Sequence, residues 1–176
     1  MGLVEALQAS EFLGREFATW LYWLSFKGNG TVALDGFEPF EIWFESPVEL
    51  VNDYGEATSV VLKGTMPLES PEALRAFREN KKVHRAHIRL IFKNVTYTFS
   101  FHAARFLVSG LHLPSPASAG SGGEYLIVRF QLLEDFDKFW ESLLEKFLAL
   151  RLDDKAWRSQ RKQIAALIAK ATENES

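Results

Sequence analysis

The chain has no cysteine among its 176 residues. That excludes thiolate catalysis, disulfide staples and cysteine-held zinc or iron–sulfur sites, and it is compatible with a reducing cytoplasm. Most of the short motifs that announce chemistry are missing as well. Gly28-Asn29-Gly30 and Gly120-Ser121-Gly122-Gly123 lack the Lys-Ser/Thr ending and the βαβ context of a phosphate loop. There is no HExxH, no GxSxG and no EF-hand loop. The opening MGLVEALQAS has neither a basic n-region nor a long apolar run, and Ala6 stands where an N-myristoylation signal needs Ser or Thr. The expectation is a cytoplasmic protein without signal peptide, membrane span, internal repeat, cofactor or catalytic residue.

What is present is an ordinary globular composition, 47% hydrophobic and 24% charged, enough for a sizeable core. The net charge of −3 hides a segregation. Residues 1–74 carry twelve acids and three bases. Residues 75–93 carry seven bases (Arg75, Arg78, Lys81, Lys82, Arg85, Arg89, Lys93) against Glu79, and the remainder balances ten against ten. A basic island in an acidic chain can steer a polyanion to one place or dock an acidic neighbour.

The island runs into VHRAHIRLIFKNVTYTFSFH, residues 83–102, which has the pattern of a β-hairpin. Ala86, Ile88, Leu90 and Phe92 alternate with Arg85, His87 and Arg89, and Val95, Tyr97, Phe99 and Phe101 alternate with Thr96, Thr98, Ser100 and His102. A two-residue turn at Lys93-Asn94 predicts the pairs Phe92/Val95, Leu90/Tyr97, Ile88/Phe99 and Ala86/Phe101. On the other face it predicts Arg85/His102, His87/Ser100 and Arg89/Thr98. One face is then core, the other a wet, cationic, hydroxyl-bearing surface. Arginine forks match phosphate oxygens without reading base identity, although polar outer faces are also ordinary on half-exposed sheets.

Around the hairpin the sequence predicts an α+β fold: an antiparallel meander and hairpin sheet packed against an N-terminal aromatic helix, a short middle helix and two C-terminal helices. The first helix is predicted to start at a Ser10 cap and end at Lys27-Gly28-Asn29-Gly30. Its apolar residues surround it, so it should be buried on two sides. Strands are predicted at 31–34, 40–45, 48–51, 58–63 and 106–113, with Asp53-Tyr54-Gly55 as one of the turns. Ser70 and Pro71 should open the middle helix. PSPASAGSGG reads as a flexible loop, and YLIVRF, 125–130, as a further strand before a helix beginning near Leu133. A last helix over about 154–170 carries Trp157, Ile164, Leu167 and Ile168 opposite Arg158, Arg161 and Lys162. The domain organisation is one unit over residues 1–152 and a helical extension over 153–176.

Two other chemistries compete with this reading. His87 and His102 share the polar hairpin face, but a third metal ligand is not apparent, and no metal is expected. Glu38, Glu41, Glu45, Asp53 and Glu56 raise a metal-dependent nuclease, yet the cue of an acidic pair before Glu-x-Lys is missing.

FLGREFATWLYWLSF, GEATSVVLKG, SPEALRAFRENKKVHRAHIRLIF and YTFSFHAARFLVSGLHLP, in that order over about residues 10–152, resemble the C-terminal part of the RdgC family of recombination-associated proteins. The resemblance implies an α/β protein that closes into a ring-like oligomer, binds duplex DNA with little sequence preference and restrains RecA-type recombination in the nucleoid. Family members are longer, so a protein partner would supply the missing half. Resemblance and residues together assign phosphate contacts to Arg75, Arg78, Lys81, Lys82, Arg85, Arg89 and Lys93, secondary donors to His87, Thr98 and Ser100, and a second cluster to Arg158, Arg161 and Lys162. The expected function is non-catalytic clamping of double-stranded DNA by a homo-oligomer. The alternatives are an adaptor that binds another protein through its aromatic helix and basic island, and the nuclease.

Overall fold

A computed structural model of the chain describes residues 3–52, 59–64, 69–115 and 123–173. Helix α1 (Leu3–Lys27) is followed by strands β1 (Thr31–Val32), β2 (Phe40–Val51) and β3 (Val60–Leu62), helix α2 (Pro71–Arg78) and strands β4 (Lys82–Phe92) and β5 (Val95–His102). A 3-10 turn (Ala103–Arg105), strand β6 (Leu107–His112) and helices α3 (Gly123–Leu152) and α4 (Asp154–Glu173) complete the described chain. The fold is α+β, with a six-stranded antiparallel sheet in the order β1-β2-β4-β5-β6 and β3 also on β2.

The β4–β5 hairpin has the predicted register at every pair from Arg85/His102 to Phe92/Val95. Lys93 and Asn94 both take positive φ, 50° and 60°, the two-residue turn whose twist matches paired strands. Ser70 caps α2 as expected, its Oγ accepting from the Ala73 N–H at 3.2 Å.

Several elements differ from expectation. Helix α1 begins at Leu3, so Ser10 is internal, because the preceding VEALQA has good helix formers that extend the ladder backwards. The runs 40–45 and 48–51 form one strand interrupted by a register shift between Glu45 and Val48. Pro47 cannot donate to the ladder and sits in that irregularity. β1 and β3 lie along the same edge of β2, one at each end, rather than following it as a meander. YLIVRF is helical and belongs to α3. Its apolar run, broken only by Arg129, has no period to separate a buried strand from a helix. The Asp53-Tyr54-Gly55 turn and most of PSPASAGSGG lie outside the described residues.

The core lies between the sheet and the helices. Phe17 of α1 meets Phe101 of β5 on one side and Trp140 and Phe147 of α3 on another. Tyr22 reaches Phe44 of β2 and stacks on Phe77 of α2 at 5.0 Å. α3 covers the far end through Phe136, Phe139 and Trp140 against Tyr97, Phe92 and Phe99. Trp157 of α4 packs edge-on against Phe147, tying the C-terminal helix to the same core. The aromatics of α1 are thus consumed inside the chain, between the sheet and the C-terminal helices. Trp20 and Trp23 are each 2% exposed. These two side chains are spent on the core, while Phe12 and Phe26 of the same helix are half-buried.

Candidate functional site

The island that is continuous in sequence divides over several surfaces in space, because strand alternation, a bulge and a helix turn each send neighbours in different directions. Arg75 and Arg78 stand exposed on α2, with Arg75 3.3 Å from Glu79. Lys81, only 6% exposed, turns inward and is held by Glu79 at 2.5 Å. Lys82 also faces the helices, with its ammonium 3.7 Å from Glu16 and over the Phe12 ring. Glu16 in turn accepts from Arg151 Nε of α3 at 2.6 Å. Lys93, at the hairpin tip, is 3.7 Å from Asp135 of α3. On α4, Arg158, Arg161 and Lys162 are exposed, and Arg161 borders a groove shared with Lys81 and Lys82.

Arg85, His87, Arg89, Thr98 and Ser100 do come together on the outer face of the sheet, as the alternation requires. His87 Nδ1 lies 3.4 Å from Ser100 Oγ. The face is not purely cationic, however. β2 pairs with β4 and sets Glu45 opposite His87 and Glu49 opposite Arg85. Arg89 Nε donates to Glu45 at 2.8 Å, and its guanidinium lies over Trp43, whose Nε1 donates to Glu41 at 3.1 Å. Glu41 and Glu45 therefore share one face, as their parity predicts, but both are engaged there. Asp53 and Glu56 lie outside the described residues. Among the described residues no group of three or more His, Asp or Glu side chains is placed to hold a metal ion.

A cationic corner forms at the start of β4 and the end of β5. The exposed Arg85 stands opposite His102, and the 3-10 turn brings the exposed Arg105 to the same imidazole. Neither guanidinium has an acid partner among the described residues. Burial and these two cations hold the His102 pKa below the ordinary histidine value. Next to it, Arg15 Nε of α1 donates to His84 Nδ1 at 3.2 Å, fixing that nitrogen as an acceptor. Burial first, then Arg15, depresses His84 too, against the opposing pull of Glu49 and Glu11. Arg15, His84 and Arg105 were not singled out from the sequence. Arg105 follows the last strand residue, where alternation no longer says which way a side chain points, and Arg15 comes from a helix 69 residues before His84.

Comparison with known proteins adds no relative: no family model, no curated protein and no solved structure matches the chain.

Proposed function

We propose that this chain is a non-catalytic, sequence-independent binding protein for double-stranded DNA, acting in the nucleoid as a homo-oligomeric clamp that restrains RecA-type recombination, as the RdgC resemblance implies. The observation that carries the DNA contact is the pair Arg85 and Arg105, both exposed, without acid partners among the described residues, and converging on His102. Unpaired guanidinium groups beside hydroxyl-bearing strands suit phosphate oxygens, and nothing in that set reads base edges. Ser100 and Thr98 extend the surface along β5, and His87 and Arg89 flank it. Arg75, Arg78, Arg158 and Lys162 are accessible secondary contacts. Lys81, Lys82 and Lys93 contribute mainly through the overall field, because carboxylates already hold them.

An oligomer is supported by an uncovered apolar stripe at the start of α3, where Leu126, Ile127 and Phe130 are 56%, 59% and 69% exposed. The same stripe favours the second reading, an adaptor bound to another protein, with α3 adding to the contact surface. A labelled random-sequence duplex, titrated with the wild type and with Arg85→Glu/Arg105→Glu at low salt, separates the two. The proposal expects binding that unrelated duplexes compete equally and that the folded double variant loses. Absence of binding by the folded wild type overturns it.

A further inference from the structure

Helix α3 outruns the sheet it covers. It runs along β5, with Phe136 against Tyr97 and Trp140 against Phe101, and it draws level with the hairpin tip at Asp135, 3.7 Å from Lys93. Leu132 is the first hydrophobic side chain of α3 that packs on the core. The turns before it therefore project past the end of the sheet. At about 1.5 Å per residue, residues 123–131 form an overhang of about 13 Å. Leu126, Phe130 and Leu133 follow one another at spacings of four and three, so they share one face, with Ile127 beside them, and all four are exposed.

That face carries no charge along the overhang. Arg129, the single base between residues 123 and 137, turns to Tyr125, its Nη1 donating to the hydroxyl at 3.0 Å. Charge enters at the two ends of the stripe, with opposite sign. Four residues beyond Leu133, Asp137 continues the same face, is exposed and makes no ion pair among the described residues. At the other end, the first turn of α3 carries N–H groups without intrahelical acceptors and the positive pole of the helix dipole. Glu124 belongs to that turn but, two residues from Leu126, lies on the other side of the helix.

A face that is apolar in the middle, negative at one end and positive at the other is complementary to itself turned end for end. We propose that α3 pairs with α3 of a second copy of this chain, antiparallel about a twofold axis near Phe130. Leu126 then lies opposite Leu133 of the second copy, the two Phe130 rings meet at the axis, and Asp137 reaches the first α3 turn of the second copy. Each contact occurs twice, as a twofold interface requires. A parallel pair would instead set acid beside acid and like pole beside like pole. The pairing rests on the homo-oligomer proposed above and gives it a defined contact. It is independent of the DNA contact, since Arg85 stands at the open end of the β4–β5 hairpin, away from the tip.

The chain has no cysteine, so introduced thiols report without background. Leu126→Cys and Leu133→Cys, both at exposed positions, should each give little disulfide-linked dimer on mild oxidation alone. Mixed in equal amounts they should give a linked dimer of one chain of each kind as the main linked species, because only the mixture brings two thiols together across the axis. Adding Phe130→Glu to both should abolish that link. In sedimentation, folded Asp137→Asn should have a dimer dissociation constant about fivefold higher, as two lost helix-dipole contacts dictate. Links between like chains that equal or exceed the mixed one, or an unchanged dissociation constant in folded Asp137→Asn, overturn the antiparallel pairing and leave the homo-oligomer standing. A wild type that is monomeric at micromolar concentration overturns both. None of these outcomes depends on whether the chain binds DNA, which the duplex titration reads separately.

Discussion

Arg85 and His102 face each other across the β4–β5 ladder, and Arg105 brings a second guanidinium to the same imidazole. Burial and the two cations lower the pKa of His102 from its ordinary 6.5. The unfolded chain therefore takes up this proton at a higher pH than the folded chain. The associated stability is fully present above 6.5 and is lost as pH falls through the depressed folded value. His84 has the same sign. A bound phosphate acts oppositely, favouring the imidazolium. Between about pH 7.5 and about 5.5, duplex affinity at constant salt should rise while the urea midpoint falls. His102→Gln should flatten both trends, as read by anisotropy titrations and urea melts at the two pH values.

Glu16 is the shared acceptor that joins three elements, taking a 2.6 Å bond from Arg151 of α3 and lying 3.7 Å from Lys82 of β4. It is 10% exposed. Glu16→Gln leaves Arg151 short of its counter-charge and removes one of the partners of Lys82. Urea unfolding should show a loss of about 2 kcal/mol, below the cost of a wholly buried pair because Lys82 and Arg151 retain some access to water.

Gly14 lets α1 settle directly onto the 3-10 turn. A β-carbon built there would lie 1.8 Å from the Ala103 carbonyl oxygen. That neighbour is backbone, so Gly14→Ala must push helix and turn apart. The expected cost is about 3 kcal/mol by urea unfolding, despite alanine's better helix propensity. Because Arg105 is in the same turn, duplex binding should fall as well in conditions where the variant remains folded.

Phe130, 69% exposed on α3, is the most prominent member of the uncovered stripe. Phe130→Glu should convert the wild-type oligomer to a single chain in light scattering while changing the unfolding free energy of the dissociated chain by no more than about 0.5 kcal/mol, since no internal packing is lost. A wild type that is already monomeric at micromolar concentration would contradict the clamp assembly.

Much of this fold was legible in the chain because its signals are local. The hairpin register follows from alternation plus a turn whose two residues, Lys93 and Asn94, accept positive φ. Ser70-Pro71 announces α2 in the same local way. Tyr125 to Phe130 lacks the period that would mark it as helix, and Pro47 punctuates a strand, β2, that continues through a bulge. The site was less legible than the fold. Whether a lysine is available to a phosphate depends on the acids that other elements bring to it. Glu79 claims Lys81, Glu16 claims Lys82, Glu45 claims Arg89 and Asp135 claims Lys93. The Glu79–Lys81 pairing is local, two residues apart, but the other three join distant elements and are not set by spacing along one strand. Arg85 and Arg105 make no ion pair among the described residues, although Glu49 stands opposite Arg85 across the β2–β4 ladder.

The most direct test of the central claim is the salt dependence of duplex binding. The logarithm of the association constant should fall linearly with the logarithm of salt concentration. Each phosphate contact removed should reduce the slope by about 0.9, so Arg85→Ala/Arg105→Ala should lower it by about 2 at every duplex sequence tried. A folded double variant with an unchanged slope, or a wild type that does not bind at low salt, would contradict the assignment of this corner as the DNA contact.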